Sequence, residues 1–375
     1  MTETLTGSIT GGMKFQDEFR DRKLVQNMAT NIHRMAERLT SPVNFMEVCG
    51  THTMSIYQYG IRTLLPDKIR LVSGPGCPVC VTPIGYVDKA LACAADPHNI
   101  VVTFGDMLRV PGSHSSLMEQ RAVGADIRIV YSPLDAVALA KNNPERRVVF
   151  LGVGFETTAP TIAASILEAA RFKLKNYCVL ASHKTMPQPM EILSADPELN
   201  IKGYLCPAHV STVIGGNAYK PLAEKYHLPC VVTGFEPADV MHGIEMLLAQ
   251  TLAGTGIVEI QYSRAVSWEG NQKAQTFLHQ LFEPCDAAWR GLGVLPGSGL
   301  TIRPEYADFD AEQVLVLDVP DAVENPACLC GEVLKGKLTP FGCPLFATLC
   351  TPESPVGACM VSSEGTCAAA YKYGR

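Results

Sequence analysis

Cys77 and Cys80 sit two residues apart behind a Gly-Pro-Gly turn, in the stretch SGPGCPVC from Ser73 to Cys80. Such a pair serves as half of a zinc site, as two ligands of an iron–sulfur cluster, or as a dithiol that opens and closes as a disulfide. Zinc needs a second pair at matching spacing, and the chain has no second CxxC and no CxxxCxxC. That favours redox use. The pair ends an apolar run, and TPIGY then predicts a helix with Thr82 at its N-cap and Pro83 at its first position. A thiol ahead of a helix N-terminus has its thiolate stabilised by the aligned peptide dipoles, as exchange requires.

A second constellation is EVCGTHT, where Cys49 ends a predicted strand and His52 follows in the loop. A Cys and a His suit a soft, directional metal site or an activated nucleophile. The third is the C-terminal stretch with cysteines at 328, 330, 343, 350, 359 and 367 among prolines and glycines. Too little apolar sequence separates them to hold the segment by burial, so a crosslinking metal centre is expected. Four thiolates suit Zn(Cys)4 or a [4Fe–4S] cluster. Six cysteines leave a spare pair, which has a use beside a cluster and none beside zinc. Weaker candidates are the strand-end groups Asp106, Glu156, His183, His209 and Glu236. Cys93, Cys178, Cys206, Cys230 and Cys285 are expected to be structural, and His33, His98, His227, His242 and His279 structural or solvated.

The elements that position these residues follow from the wider pattern. The chain has 375 residues, 47% apolar and only 18% charged, so it folds and divides into domains. Its net charge of −6 with scattered basic residues excludes an electrostatic footprint for nucleic acid. The N-terminus has no apolar signal region and no segment reaches the roughly 20 apolar residues of a membrane span, so a cytoplasmic protein is expected. In that reducing compartment clustered thiols bind metal or do redox chemistry.

Eight short apolar runs, at 44–49, 68–74, 99–105, 127–132, 146–154, 177–182, 201–206 and 229–235, alternate with amphipathic stretches. This predicts an α/β fold with two doubly wound parallel-sheet domains plus a small Cys-rich module, a (β/α)8 barrel being the alternative. The expected divisions are a helical segment at 1–43, α/β domains at 44–145 and 146–255, and a cluster domain at 256–375, with helical sequence around Trp268 to Trp289. GFET at 154–157 and GFEP at 234–237 echo each other after Val-rich strands.

Taken together and in order, CGTHT, SGPGCPVC, GFETT, PAHVS and the terminal CGEVL…CPLF…CTPESPVGACMVSSEGTC closely resemble the HypD family of hydrogenase maturation factors from about residue 25 to the end. The resemblance implies a complex with a small HypC-like chaperone. On it the Fe(CN)2(CO) unit of [NiFe]-hydrogenase is assembled, with cyanide from a HypE-like donor and the hydrogenase large subunit served indirectly. It implies that Cys49 holds the nascent iron with His52 close by, that Cys77 and Cys80 are the redox dithiol, and that the C-terminal cysteines carry a [4Fe–4S] cluster. It also implies three domains, two α/β and one cluster-bearing, in an arrangement similar to ferredoxin–thioredoxin reductase. The intervals favour Cys330, Cys343, Cys350 and Cys367 as cluster ligands, with Cys359 in reserve and Cys328–Cys359 as the spare pair. Rival readings are a free-standing iron–sulfur thiol–disulfide reductase and a zinc-stabilised scaffold without redox function.

Overall fold

The computed structural model describes residues 17–374. The expected N-terminal helical segment lies partly outside them; its described part forms the helix Arg22–Ala36. All eight predicted strands form: β1 (Val43–Glu47), β2 (Ile69–Ser73), β3 (Asn99–Thr103), β4 (Ile127–Ile129), β5 (Arg147–Gly154), β6 (Tyr177–Lys184), β7 (Ile201–Pro207) and β8 (Cys230–Thr233). Three more were not foreseen: β9 (Val258–Ile260), β10 (Phe282–Trp289) and β11 (Gly293–Ile302).

The strands build two open sheets and no barrel. The first is entirely parallel, in the order β2-β1-β7-β8-β9. The second runs β10-β11-β6-β5-β3-β4, parallel from β6 to β4 and closed on one side by an antiparallel hairpin. The α/β architecture with two parallel-dominated sheets and a Cys-rich C-terminal region is therefore as expected. Its partition along the chain is not. Each sheet draws strands from both sides of residue 145, because β1 pairs with β7 and β5 with β3. Nor does residue 256 begin a separate module. β9 completes the first sheet and β10–β11 extends the second, so only the segment from about residue 328 packs as the Cys-rich unit.

Propensity hid the hairpin. FEPCDAAW and GVLPGSGLTI are rich in Ala, Gly and Pro, and Pro284 is tolerated because β10 is an edge strand. Trp289, expected in a helix, lies on β10, and the preceding helix is Gln272–Leu281.

Apolar side chains of the two sheets and the Cys-rich unit share one core. It runs from Met46 and Val48 through Val149 and Leu151 to Met360 and Val361. Smaller cores cover the outer faces, one under the helix Ala159–Arg171 and one under Arg22–Ala36 and Pro237–Ala253. The cysteine unit is thus held partly by burial, contrary to expectation: Ala358, Cys359, Met360, Ala369 and Ala370 are all buried. Among the described residues no helix is long and apolar enough to cross a membrane.

Candidate functional site

Cys49 follows β1 directly and is the N-cap of the helix Gly50–Gln58. Its thiol opens on a cavity of about 320 Å3 lined by Pro78, Phe155, Thr157, Thr158, His209 and Glu364, among others. Burial pushes the Cys49 thiol up to about 12, and the Glu364 carboxylate adds to the shift. The backbone N–H groups of His52 and Thr51 pull the other way without overcoming it. The thiol is therefore protonated at neutral pH until a cation takes the proton's place.

Three separate segments meet at this thiol, and glycine permits two of the approaches. Gly50 N donates to Gly76 O at 3.0 Å, and a Cβ at Gly76 would overlap the backbone N and Cα of Cys49. A Cβ at Gly50 would collide with the backbone of Glu364, whose carboxylate accepts a 2.7 Å hydrogen bond from the Thr51 hydroxyl. The CxxC loop and the Cys-rich unit are both seated on Cys49.

His52 is turned elsewhere. Its Nε2 donates to the carbonyls of Thr233 and Gly234 at 2.8 and 3.0 Å, so Nδ1 is the bare nitrogen, buried and without a partner among the described residues. Burial lowers its pKa to about 4, which keeps the ring neutral. It ties the Cys49 helix to the end of β8 rather than lining the cavity. The imidazole that does line it is His209, packed against Phe235 with ring centroids 4.2 Å apart and the planes tilted by 40°. Of the other strand-end candidates, Glu236 pairs with Arg20, Asp106 accepts from the Ser362 hydroxyl, and His183 packs edge-on against Phe282. None of these three lines the Cys49 cavity.

Glu156 directly precedes the cavity-lining Thr157 and Thr158. One carboxylate oxygen accepts from Met186 N at 2.9 Å, the other is buried without a partner among the described residues, and burial raises the pKa to about 7. A carboxyl whose folded pKa exceeds its unfolded value loses stability as pH rises from the unfolded value to the folded one. Glu156→Gln is expected to stabilise the protein at pH 8 by roughly 3 kcal/mol and to flatten the pH dependence between about 4.5 and 7. Urea unfolding of both proteins across that range checks it; parallel curves would refute it.

Cys77 and Cys80 are joined as a disulfide across the short helix Pro78–Val81. The helix start expected at Thr82–Pro83 is displaced. CxxC coils into a turn of its own capped by Cys77, whose sulfur accepts from Cys80 N at 3.2 Å, while Thr82 closes that turn by donating to Pro78 O. Pro83, which lacks an N–H, becomes the N-cap of the helix Ile84–Ala95. Pro78 lines the Cys49 cavity on one side, and Cys80 Sγ lies 4.0 Å from Ala358 O on the other. The disulfide therefore stands between Cys49 and the C-terminal cysteines.

All six of those cysteines line one small apolar cavity, with Val333, Leu345, Phe346 and Met360. The sulfurs of Cys330 and Cys359 lie 3.0 Å apart, Cys328 also bonds to Cys330 and Cys367 to Cys359, so these four thiols form one chain of contacts in which Cys330 and Cys359 are the middle pair. Both are buried, and hydrogen bonds from Cys328 and Cys359, with the Arg290 guanidinium, favour the Cys330 thiolate. Arg290 also donates from Nε to Thr82 O at 3.0 Å, linking this end to the CxxC turn. Cys343 and Cys350 complete the ring of six thiols around the cavity. Among the described residues no three His, Cys, Asp or Glu are gathered as ligands of a single ion. Four soft donors in an apolar pocket suit a polynuclear iron–sulfur group. Cys93, Cys178, Cys206 and Cys230 are buried, as expected; Cys285 is half-buried.

Glu364 was not singled out from the sequence, although it stands in SSEGTC between two candidate ligands; its place over Gly50 depends on the pairing of distant segments. The chain matches a family model described as "HypD: Hydrogenase formation hypA family" over residues 23–374. It is 47% identical to the hydrogenase maturation factor HypD of Rhizobium leguminosarum bv. viciae over 371 residues, covering 97% of this chain and 96% of that one. It is likewise 47% identical to HypD of Azotobacter vinelandii, over 97% of both chains, and 44% identical to HypD of Escherichia coli K12, over 96% and 98%. With matches of this extent, which span every segment that meets at Cys49, the chain belongs to the HypD family of hydrogenase maturation factors.

Proposed function

We propose that the protein, together with a small HypC-like chaperone, is the cytoplasmic scaffold on which the Fe(CN)2(CO) unit of [NiFe]-hydrogenase is assembled. The observation that carries this reading is the convergence of the CxxC loop and the Cys-rich unit on one buried thiol, Cys49, in a cavity roomy enough for a small metal complex. A soft thiolate suits low-spin iron with cyanide and carbonyl ligands, and the closing chaperone supplies a further ligand and excludes water. His209 and Glu364 face the cargo; His52 positions the Cys49 helix.

Cyanide from a HypE-like thiocyanate donor arrives with the wrong electron count. Cleaving R–S–C≡N to R–S⁻ and CN⁻ takes two electrons. Oxidation of the Cys77–Cys80 dithiol to its disulfide releases two electrons and two protons, which balances the step. Restoring the dithiol takes two electrons from the Cys330–Cys359 pair by thiol–disulfide exchange, which leaves that pair as a disulfide to be reopened by two one-electron transfers from an external reductant through the cluster; the nearness of Cys80 to Ala358 supports that route. Cys328, Cys343, Cys350 and Cys367 would hold a [4Fe–4S] cluster, whose chemistry is one-electron supply.

This ligand set departs from the one expected on spacing and is tested directly. Cys330→Ser and Cys359→Ser are expected to keep full iron and sulfide but lose a titratable thiol pair. Cys328→Ala, Cys343→Ala, Cys350→Ala and Cys367→Ala are each expected to lose most of the cluster. A Cys330→Ser protein stripped of iron would overturn the assignment.

The test of the function is an infrared spectrum of the protein purified without oxygen from cells that also make the chaperone. Cyanide and carbonyl stretching bands are expected. A brown, iron-containing protein with none would put the free-standing reductase reading in its place.

A further inference from the structure

Two hydroxyls in the Cys49 cavity have no structural task. Thr157 and Thr158 both line it, and among the described residues neither hydroxyl makes a hydrogen bond to the protein. The other hydroxyls at the site are committed: Thr212 donates to His209 O at 2.6 Å and Thr51 to Glu364.

Helix capping does not account for the pair. Thr158 occupies the N-cap position of the helix Ala159–Arg171, where a threonine hydroxyl usually accepts from the first turn. Here its backbone is already helical (φ −97°, ψ −37°) and its side chain caps nothing. The first turn has no need of it. Ala159 N donates to Phe155 O, Thr161 N donates to Thr158 O, and Pro160 has no N–H. Both hydroxyls remain free at the cavity wall.

We infer that Thr157 and Thr158 form the subsite that binds the cyanide ligands of the iron unit, an inference that rests on the assembly reading above. Cyanide bound through carbon leaves a nitrogen lone pair carrying much of the negative charge, a strong acceptor for O–H donors. The oxygen of bound carbon monoxide is a poor acceptor and loses little against an apolar wall, which Val48, Phe155 and Val210 provide. The cavity of about 320 Å3 equals about ten water volumes, enough for an iron with three diatomic ligands. Two hydroxyls match two cyanides. The pair thereby distinguishes cyanide from carbonyl and fixes which coordination positions each takes.

The test is infrared spectroscopy of the anaerobically purified complex with the chaperone, comparing native protein with Thr157→Val/Thr158→Val and Thr157→Ser/Thr158→Ser. Valine keeps the shape and removes both donors; serine keeps the donors. In the valine variant the cyanide bands are expected to shift to lower frequency by more than the carbonyl band moves, or to vanish. The serine variant is expected to restore them near their native positions. Thr161→Val, on the same helix but outside the cavity, is expected to leave every band in place. Unchanged cyanide bands in the valine variant, or equal losses in the valine and serine variants, would overturn the inference while leaving the assembly reading standing. Absence of bands in the native complex would overturn the assembly reading, and the subsite with it.

Discussion

Cys49→Ala is expected to remove the cyanide and carbonyl bands from the complex and to lower hydrogenase maturation by more than about 100-fold, the upper limit for residues that only support a metal ligand. The fold and the iron–sulfide content should be unchanged. Cys49 supplies the only thiol of its cavity among the described residues, so no neighbouring sulfur can substitute. Cys49→Ser is expected to fail almost as completely, because an alcohol is a harder and far less acidic donor than a thiol. The high thiol pKa adds a second signature: loading iron onto Cys49 must release its proton, so uptake should strengthen as pH rises through the neutral range. Full-strength bands in Cys49→Ala would remove the cavity from the assembly reading, and uptake indifferent to pH would show that the thiol enters already ionised.

Local sequence carried the strands and the motifs, while their partnership depended on distant pairing. Val-rich runs such as RRVVFLGVG announce a buried strand, and β5 is buried along almost its whole length. Nothing local tells β1 to pair with β7, some 150 positions later, and that pairing breaks the division at residue 145. The same holds at the site. Cys49 and the CxxC pair are legible because their residue types are rare and their spacing chemical. Glu364, Thr157 and Thr158 are common residues, and only the seating of their segments around Cys49 places them in the cavity. His52 misled for the converse reason. Three residues beyond Cys49 suggests proximity, but on the first turn of a helix the ring points to β8. The sixfold cysteine pattern led to the expectation of a metal centre and a spare pair without indicating which thiols touch; Cys330 and Cys359 meet across 29 residues.

Gly76→Ala should be strongly damaging to the Cys49 site. The added Cβ would overlap the backbone N and Cα of Cys49 and the carbonyl carbon of Val48. Main-chain atoms cannot rotate aside as a side-chain tip can, so the loop itself must retreat. That retreat breaks the Gly50 N to Gly76 O hydrogen bond and carries Pro78 and the Cys77–Cys80 turn away from the cavity. The expected cost is about 3 kcal/mol in urea unfolding, the upper end of overpacking penalties. Loss of the infrared bands should accompany it, with iron and sulfide in the C-terminal unit retained. Gly85→Ala is the matched control. Its Cβ would meet nothing nearer than Ala322 Cβ at 3.9 Å, and the position lies in the helix Ile84–Ala95. There alanine should stabilise by about 0.5–1 kcal/mol through helix propensity, with every band in place. If Gly76→Ala instead behaves like Gly85→Ala, the CxxC turn does not need its close seat on Cys49, and electron delivery by direct approach of the two sites fails with it.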